Sequence, residues 1–234
     1  VLLVVPVHAN EISNFVKADY DAHLAGLFDH FHRNPELSTI EHETARRMAL
    51  ELSLASFDVT EGVGGTGVVA MLENGDGPLV MMRADMDGLP VEEKSGLPNA
   101  SKAQQRDPIT GNVVPVMHAC GHDVHITSLV GTARQMVARR DEWSGTLMLI
   151  VQPAEERVLG ARNMRNDNLW ERFGTPDYAL AFHVGAGSPA GKIDAPEGPA
   201  YAGADTVDRQ ANRYRLAVRS VDVELVALEQ RAVG

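Results

Sequence analysis

Within His118-Ala119-Cys120-Gly121-His122-Asp123, and His125 close behind, a thiol, three imidazoles and a carboxylate are gathered into one short stretch. Thiolate, imidazole and carboxylate are the side chains that bind borderline divalent cations, and alternate spacing in an extended segment would turn Cys120 and His122 to one side. A second cluster is Gln152-Pro153-Ala154-Glu155-Glu156, which follows the apolar run Thr146 to Val151. Two carboxylates then lie just beyond the carboxyl end of a strand, where α/β folds place ligands. Adjacent residues there diverge, so one Glu is free to bind a metal while the other faces a substrate and moves protons. His183 ends another apolar run, Tyr178 to Phe182, and Asp85 and Asp87 share one side of an extended stretch after a third. Taken singly, each feature has a plainer reading. A buried cysteine beside surface histidines, a solvated Glu-Glu turn, a rim histidine and a polar Asp turn are all ordinary. Three strand ends and one helix start that all offer ligand-type residues are harder to attribute to chance. A thiol nucleophile, Cys120 with His122 or His118, is the competing chemistry. It leaves Glu155, Glu156 and His183 without a role.

The elements that must position these residues follow from periodicity. Apolar residues at helical spacing (Phe15, Tyr20, Leu24, Leu27, Phe28, Phe31) predict a helix from about Ile12 to Phe31, stopped by His32-Arg33-Asn34-Pro35. A second helix is predicted from Glu41 to about Ala55, and a third from His122 to about Arg140. Gly62 to Gly67 reads as a turn into a strand at Val68 to Leu72, closed by Asn74-Gly75-Asp76-Gly77. Leu79 to Met82 follows closely, so the two strands are expected to form a hairpin. Glu92 to Val114 reads as irregular. Thr146 to Val151 and Tyr178 to Phe182 are continuous apolar runs of the kind found in buried strands. Alternating strands and helices indicate an α/β architecture, with helices packed against a mixed sheet.

Composition bounds the partners. The 234 residues are 44% hydrophobic and 23% charged, enough for one substantial core, and the net charge of −11 argues against nucleic acid or an anionic membrane. A small soluble substrate is expected, and no apolar run approaches the roughly 20 residues that span a bilayer. Cys120 is the single cysteine, so no intramolecular disulfide exists. Val1 to Val7, ahead of His8-Ala9-Asn10, reads equally as the remainder of a signal-peptide apolar region or as a short strand. Both a cytoplasmic and an exported location stay open.

The ordered set HRNPELS (His32 to Ser38), RADMDGLP (Arg83 to Pro90), MHACGHDVH (Met117 to His125), QPAEE (Gln152 to Glu156) and AFHV (Ala181 to Val184) resembles the M20 metallopeptidase family. The resemblance is strongest to its amidohydrolase branch of hippurate hydrolases, N-acyl-amino-acid deacylases and plant auxin-conjugate hydrolases. It implies a zinc-exopeptidase-like catalytic domain and hydrolysis of the amide bond of N-acyl or N-aroyl amino acids. It further implies two divalent ions, zinc, manganese or similar, bound by Cys120, His122, Glu156 and His183, with Glu155 as general base and acid toward a metal-activated water. Asp85 would orient the ligands from behind, and His118 would do similar work.

The sequence departs from the family pattern after Asp208. Arg209-Gln210-Ala211-Asn212-Arg213 stands where a lid and dimerisation domain is expected to begin, and no histidine follows His183 to act as the last ligand. Residues 12–208 are therefore expected to be a partial catalytic domain, with the lid/dimerisation domain and the family dimer surface missing and 209–234 an atypical tail. One metal rather than two would then be held. The alternative function is a truncated, inactive remnant that at most binds metal.

Overall fold

A computed structural model describes residues 9–187, 189 and 191–193. All but the last residues of the 1–11 segment, and the whole of the 209–234 tail, lie outside the described residues. Two compact units divide the chain at Val184 and Gly185; everything below concerns the first, Val1–Val184.

A helical run opens it: α1 (Ala9–Asp19), a π-helical turn (Tyr20–Leu24) and α2 (Ala25–Arg33). The apolar stripe buries Leu24, Leu27 and Phe31. The π turn, absent from the sequence expectation, brings His23 Nε2 to 2.7 Å from Glu51 Oε2 on α3 (His42–Leu54). Pro35 cannot continue a helix, and α2 stops at Asn34, whose N–H bonds Phe31 O.

Five strands form the main sheet: β1 (Asp58–Val63), β2 (Gly67–Asn74), β3 (Leu79–Asp85), β6 (Gly145–Gln152) and β7 (Tyr178–Ala181), in the order β1-β2-β6-β3-β7. The expected β2–β3 hairpin does not form. β6 lies between them, antiparallel to β2 and parallel to β3. Its unbroken apolar run, with Met148, Leu149 and Val151 fully buried, fits only a central strand covered on both faces, and that preference outweighs sequence proximity. β2 instead pairs in a hairpin with β1, most of which falls in the unassigned stretch between the predicted helix, ending near Ala55, and the predicted turn from Gly62. Glu92 to Val114, expected to be irregular, contains a short hairpin of β4 (Gln104–Arg106) and β5 (Val113–Pro115). β7 is also a correction: it is not buried but lies at the edge of the described sheet, pairing only with β3, and Tyr178 and Leu180 are 59% and 57% exposed.

Register positions the site. In the parallel β3–β6–β7 part, Asp85 lies beside Gln152 and Arg83 beside Ala181, so the carboxyl ends of three strands emerge together. Helix α4 (His122–Ala138) packs Ile126, Leu129, Val130 and Ala133 into the core shared by α2, α3 and the sheet, and starts at that same end. The short helices α5 (Gly160–Asn166) and α6 (Leu169–Phe173) connect β6 to β7. Among the described residues no helix is long and apolar enough to cross a membrane.

Candidate metal centre

His122 is the first residue of α4, and a turn, not an extended segment, brings Cys120 to its side. Gly121 makes that turn possible. Its φ is +83°, and a Cβ there would lie 2.4 Å from Val184 Cγ2, so both conformation and space demand glycine. The expected alternation of Cys120 and His122 along an extended segment is therefore replaced by a turn in which Gly121, in the left-handed region, precedes the first residue of α4.

The His122 ring is fully buried and held from behind, with Nδ1–H donating to the backbone carbonyl of Asp87 at 2.8 Å. That bond fixes the tautomer and leaves Nε2 as a lone pair. Around Nε2 stand Asp85 Oδ2 at 3.6 Å, Glu155 Oε2 at 3.8 Å and Glu156 Oε1 at 3.9 Å. These separations are too long for hydrogen bonds. His122 Nε2, Asp85 Oδ2 and Glu156 Oε1 are all buried; the first and last have no hydrogen-bond partner among the described residues, while Asp85 Oδ2 is ion-paired with the Arg83 guanidinium at 2.8 Å. Buried polar atoms are nearly always paired, so two unpaired ones converging from two elements, with the Asp85 carboxylate alongside, fit a cation between them.

Cys120 and His183 adjoin this group. Cys120 S–H donates to His183 Nε2 at 3.3 Å, and His183 Nδ1–H donates to Val184 O at 2.6 Å. Ligand atoms of Cys120, His122 and His183 lie within 4.8 Å of one another, as do those of His122, Glu155 and Glu156. Asp85, His122 and His125 meet the same distance test, but His125 has no lone pair to spare: Nδ1–H donates to Asp85 Oδ1 at 2.6 Å and Nε2 accepts the Val184 N–H at 3.0 Å. We therefore exclude His125 as a ligand.

Electrostatics agree with a cation site. Burial, reinforced by the charges of Glu156, Glu155 and Asp85, pushes the Cys120 thiol up to about 11. Burial likewise raises Glu156, with Glu155 and Asp87 adding to the effect. Burial opposes charge on His122, yet Asp87 and Asp85 outweigh it and hold the imidazole above its ordinary value. Asp85 is held well below the usual carboxylate range because His125 and Arg83 overcome its burial. Four carboxylates crowd one imidazole, and a divalent cation would offset that excess. Burial lowers His118 to about 4, so it is neutral near pH 7. Its two ring nitrogens make no hydrogen bond among the described residues, and it fixes no ligand by that route.

Three residues hold the site together: Asp87 and His125, which belong to the sequence clusters but carry no role there, and Glu41, which lies outside them. Asp87 accepts the backbone N–H groups of both Glu155 (3.1 Å) and Glu156 (3.0 Å), and the Ser38 hydroxyl at 2.5 Å. Glu41, fully buried, accepts from Thr39 N–H, Thr66 Oγ1 and Ala154 N–H at 2.9, 2.6 and 2.8 Å. His125 is the third. With Ala154 at φ +46°, these anchors fold the Gln152 to Glu156 segment so that both glutamates reach His122, where the sequence reading has them diverge. They still differ in access: the Glu155 side chain is 39% exposed and that of Glu156 17%.

A sequence profile of peptidase family M20/M25/M40 matches residues 81–233, and the chain belongs to that family. Its similar proteins include the IAA-amino acid hydrolase ILR1-like 6 of Arabidopsis thaliana, 38% identical over 172 residues (74% of this chain, 34% of the relative). Another is the hippurate hydrolase of Campylobacter jejuni, 40% identical over 153 residues (65% of this chain, 37% of the relative). Among solved structures, the Bacillus subtilis YXEP protein, a dinuclear metal binding peptidase from the M20 family, superposes with a TM-score of 0.68 at 34% identity. That match covers 78% of this chain and 48% of the other. The chain spans about a third to a half of the length of the relatives it matches.

Proposed function

We propose that this site hydrolyses the amide bond of N-acyl or N-aroyl amino acids, hippurate-like compounds among them, with divalent cations held by Cys120, His122, Glu156 and His183. The observation that carries the reading is the convergence of the unpaired His122 and Glu156 atoms beside Asp85, Cys120 and His183. The family and its amidohydrolase relatives support it. When bound, a divalent cation polarises the scissile carbonyl and acidifies a water. Zinc suits the thiolate and imidazoles of this set, and manganese its carboxylate.

The chain's own residues supply the rest. Glu155, the more exposed glutamate, takes a proton from the attacking water and returns it to the departing amine. Asp87 holds the backbone of both glutamates, so the proton carrier and the neighbouring ligand keep a fixed spacing. Asp85 and the Asp87 carbonyl flank the His122 ring and keep Nε2 directed inward. Elemental analysis of the purified chain, paired with hippurate hydrolysis before and after chelation, tests this. The expected result is bound divalent metal with chelator-sensitive turnover. Metal without turnover would reduce the site to metal binding, and chelator-resistant turnover would favour Cys120 as a nucleophile.

A further inference from the structure

The ladder between β3 and β7 ends at the Arg83–Ala181 pair, two residues before His183, so the exposed His183 is carried on backbone that no strand among the described residues holds. His125 reaches that backbone from the core. It lies one turn into α4 with its side chain 1% exposed, and it spans the gap: Nδ1–H to Asp85 Oδ1 at 2.6 Å, and Nε2 from Val184 N–H at 3.0 Å. The ring also packs edge-on against Phe182 at 5.3 Å and His183 at 4.7 Å. Asp85 in turn is the last residue of β3 and lies 2.8 Å from the Arg83 guanidinium. A continuous linkage thus runs from a central strand through Asp85 and His125 to the peptide that follows His183.

We infer that His125 is a positioning residue that fastens the Val184 backbone and so holds His183 beside Cys120 and His122. The inference rests on the proposed metal role of His183. Partners that orient ligands from outside the coordination sphere typically change metal affinity by about 10- to 100-fold, and His125 meets that description although it touches no ligand atom through a hydrogen bond.

Two amide substitutions separate the ends of the ring. His125→Asn keeps a donor near the Nδ1 position and loses the acceptor for Val184. His125→Gln places an amide oxygen near the Nε2 position. In the metal-free full chain, amide exchange at Val184 is expected to be roughly five- to tenfold faster in His125→Asn and His125→Ala than in the parent, with His125→Gln protected. Cobalt(II) titration, followed through the thiolate-to-cobalt absorption of Cys120, is expected to show about tenfold weaker binding in Asn and Ala and recovery in Gln. Parent-like cobalt affinity in His125→Asn would overturn the assignment. Equal loss of affinity and of unfolding midpoint in all three variants would also overturn it, in favour of core packing. Absence of cobalt binding in the parent would overturn the metal reading and this role together, while Val184 protection would still report the bond itself.

Discussion

The two halves of the site are held by different means. Asp85, His122 and His125 lie on β3 and α4 and Asp87 two residues beyond β3; all four are almost wholly buried and bond to one another or to backbone from several directions. Cys120 and His183 sit on a turn and beyond the edge strand of the described sheet, are half-buried and exposed respectively, and meet each other through a weak thiol donor. The buried half is built when the core folds. The open half is organised by a few tethers, and a bound cation would complete it. In such a molecule chemistry and stability should fail separately.

The sharpest way to separate them is Glu155→Gln. Removing the base while keeping size and the backbone bond to Asp87 should lower hippurate turnover by about 10²- to 10⁴-fold. Metal content by elemental analysis should hardly change. Loss of metal in proportion to activity would place Glu155 among the ligands instead. Asp87→Ala is the complementary break: it strips acceptors from two backbone N–H groups and a buried hydroxyl, each costing about 1–3 kcal/mol when left unpaired. A loss of about 3 kcal/mol or more in urea unfolding is expected without metal. A loss under 1 kcal/mol would mean that water replaces the carboxylate freely and that the hub is not structural.

How much of this was readable beforehand differs between the halves in the same way. Ligand-type side chains announce themselves by type, and the apolar run of β6 announces a central strand. The holding roles of Asp87, His125 and Glu41 do not, because they are exercised on backbone N–H groups of Glu155, Glu156, Val184 and Ala154, far away in sequence and without a side-chain signature. Strand order was hidden for a related reason. β2 and β3 are neighbours in sequence, and only the two-sided burial of β6 decides that it comes between them. β1 escaped notice because its residues, apart from Val63, remain open or half-buried and carry no apolar pattern.

A smaller effect probes the rim of the buried half by pH. Burial opposes charge on His32, but the Asp123 carboxylate at 2.7 Å and Glu93 at 3.3 Å outweigh it and raise its pKa. A raised folded value means that the stabilisation is complete below the unfolded pKa of about 6.5 and disappears as pH rises through the higher folded value. His32→Asn should therefore cost on the order of 1 kcal/mol at pH 6 and progressively less toward pH 9, measured by urea unfolding at each pH. A cost that does not vary with pH would assign His32 a packing role.

The smallest effect tests the open half directly. Leu149 on β6 is fully buried, whereas Leu180 on β7 is 57% exposed. Truncating the first to Ala should cost about 2–5 kcal/mol, because the transfer energy of the lost carbons is joined by a cavity the core cannot close. Leu180→Ser removes a side chain already largely in water and should stay within about 0.5 kcal/mol. Urea midpoints of the two variants, each compared with the parent, check the contrast. A Leu180→Ser cost approaching that of Leu149→Ala would show that this edge is covered in solution. In that case the apparent openness of the His183 side of the site would not be a property of the protein at work, and concentration dependence of the midpoint would say whether a second copy provides the cover.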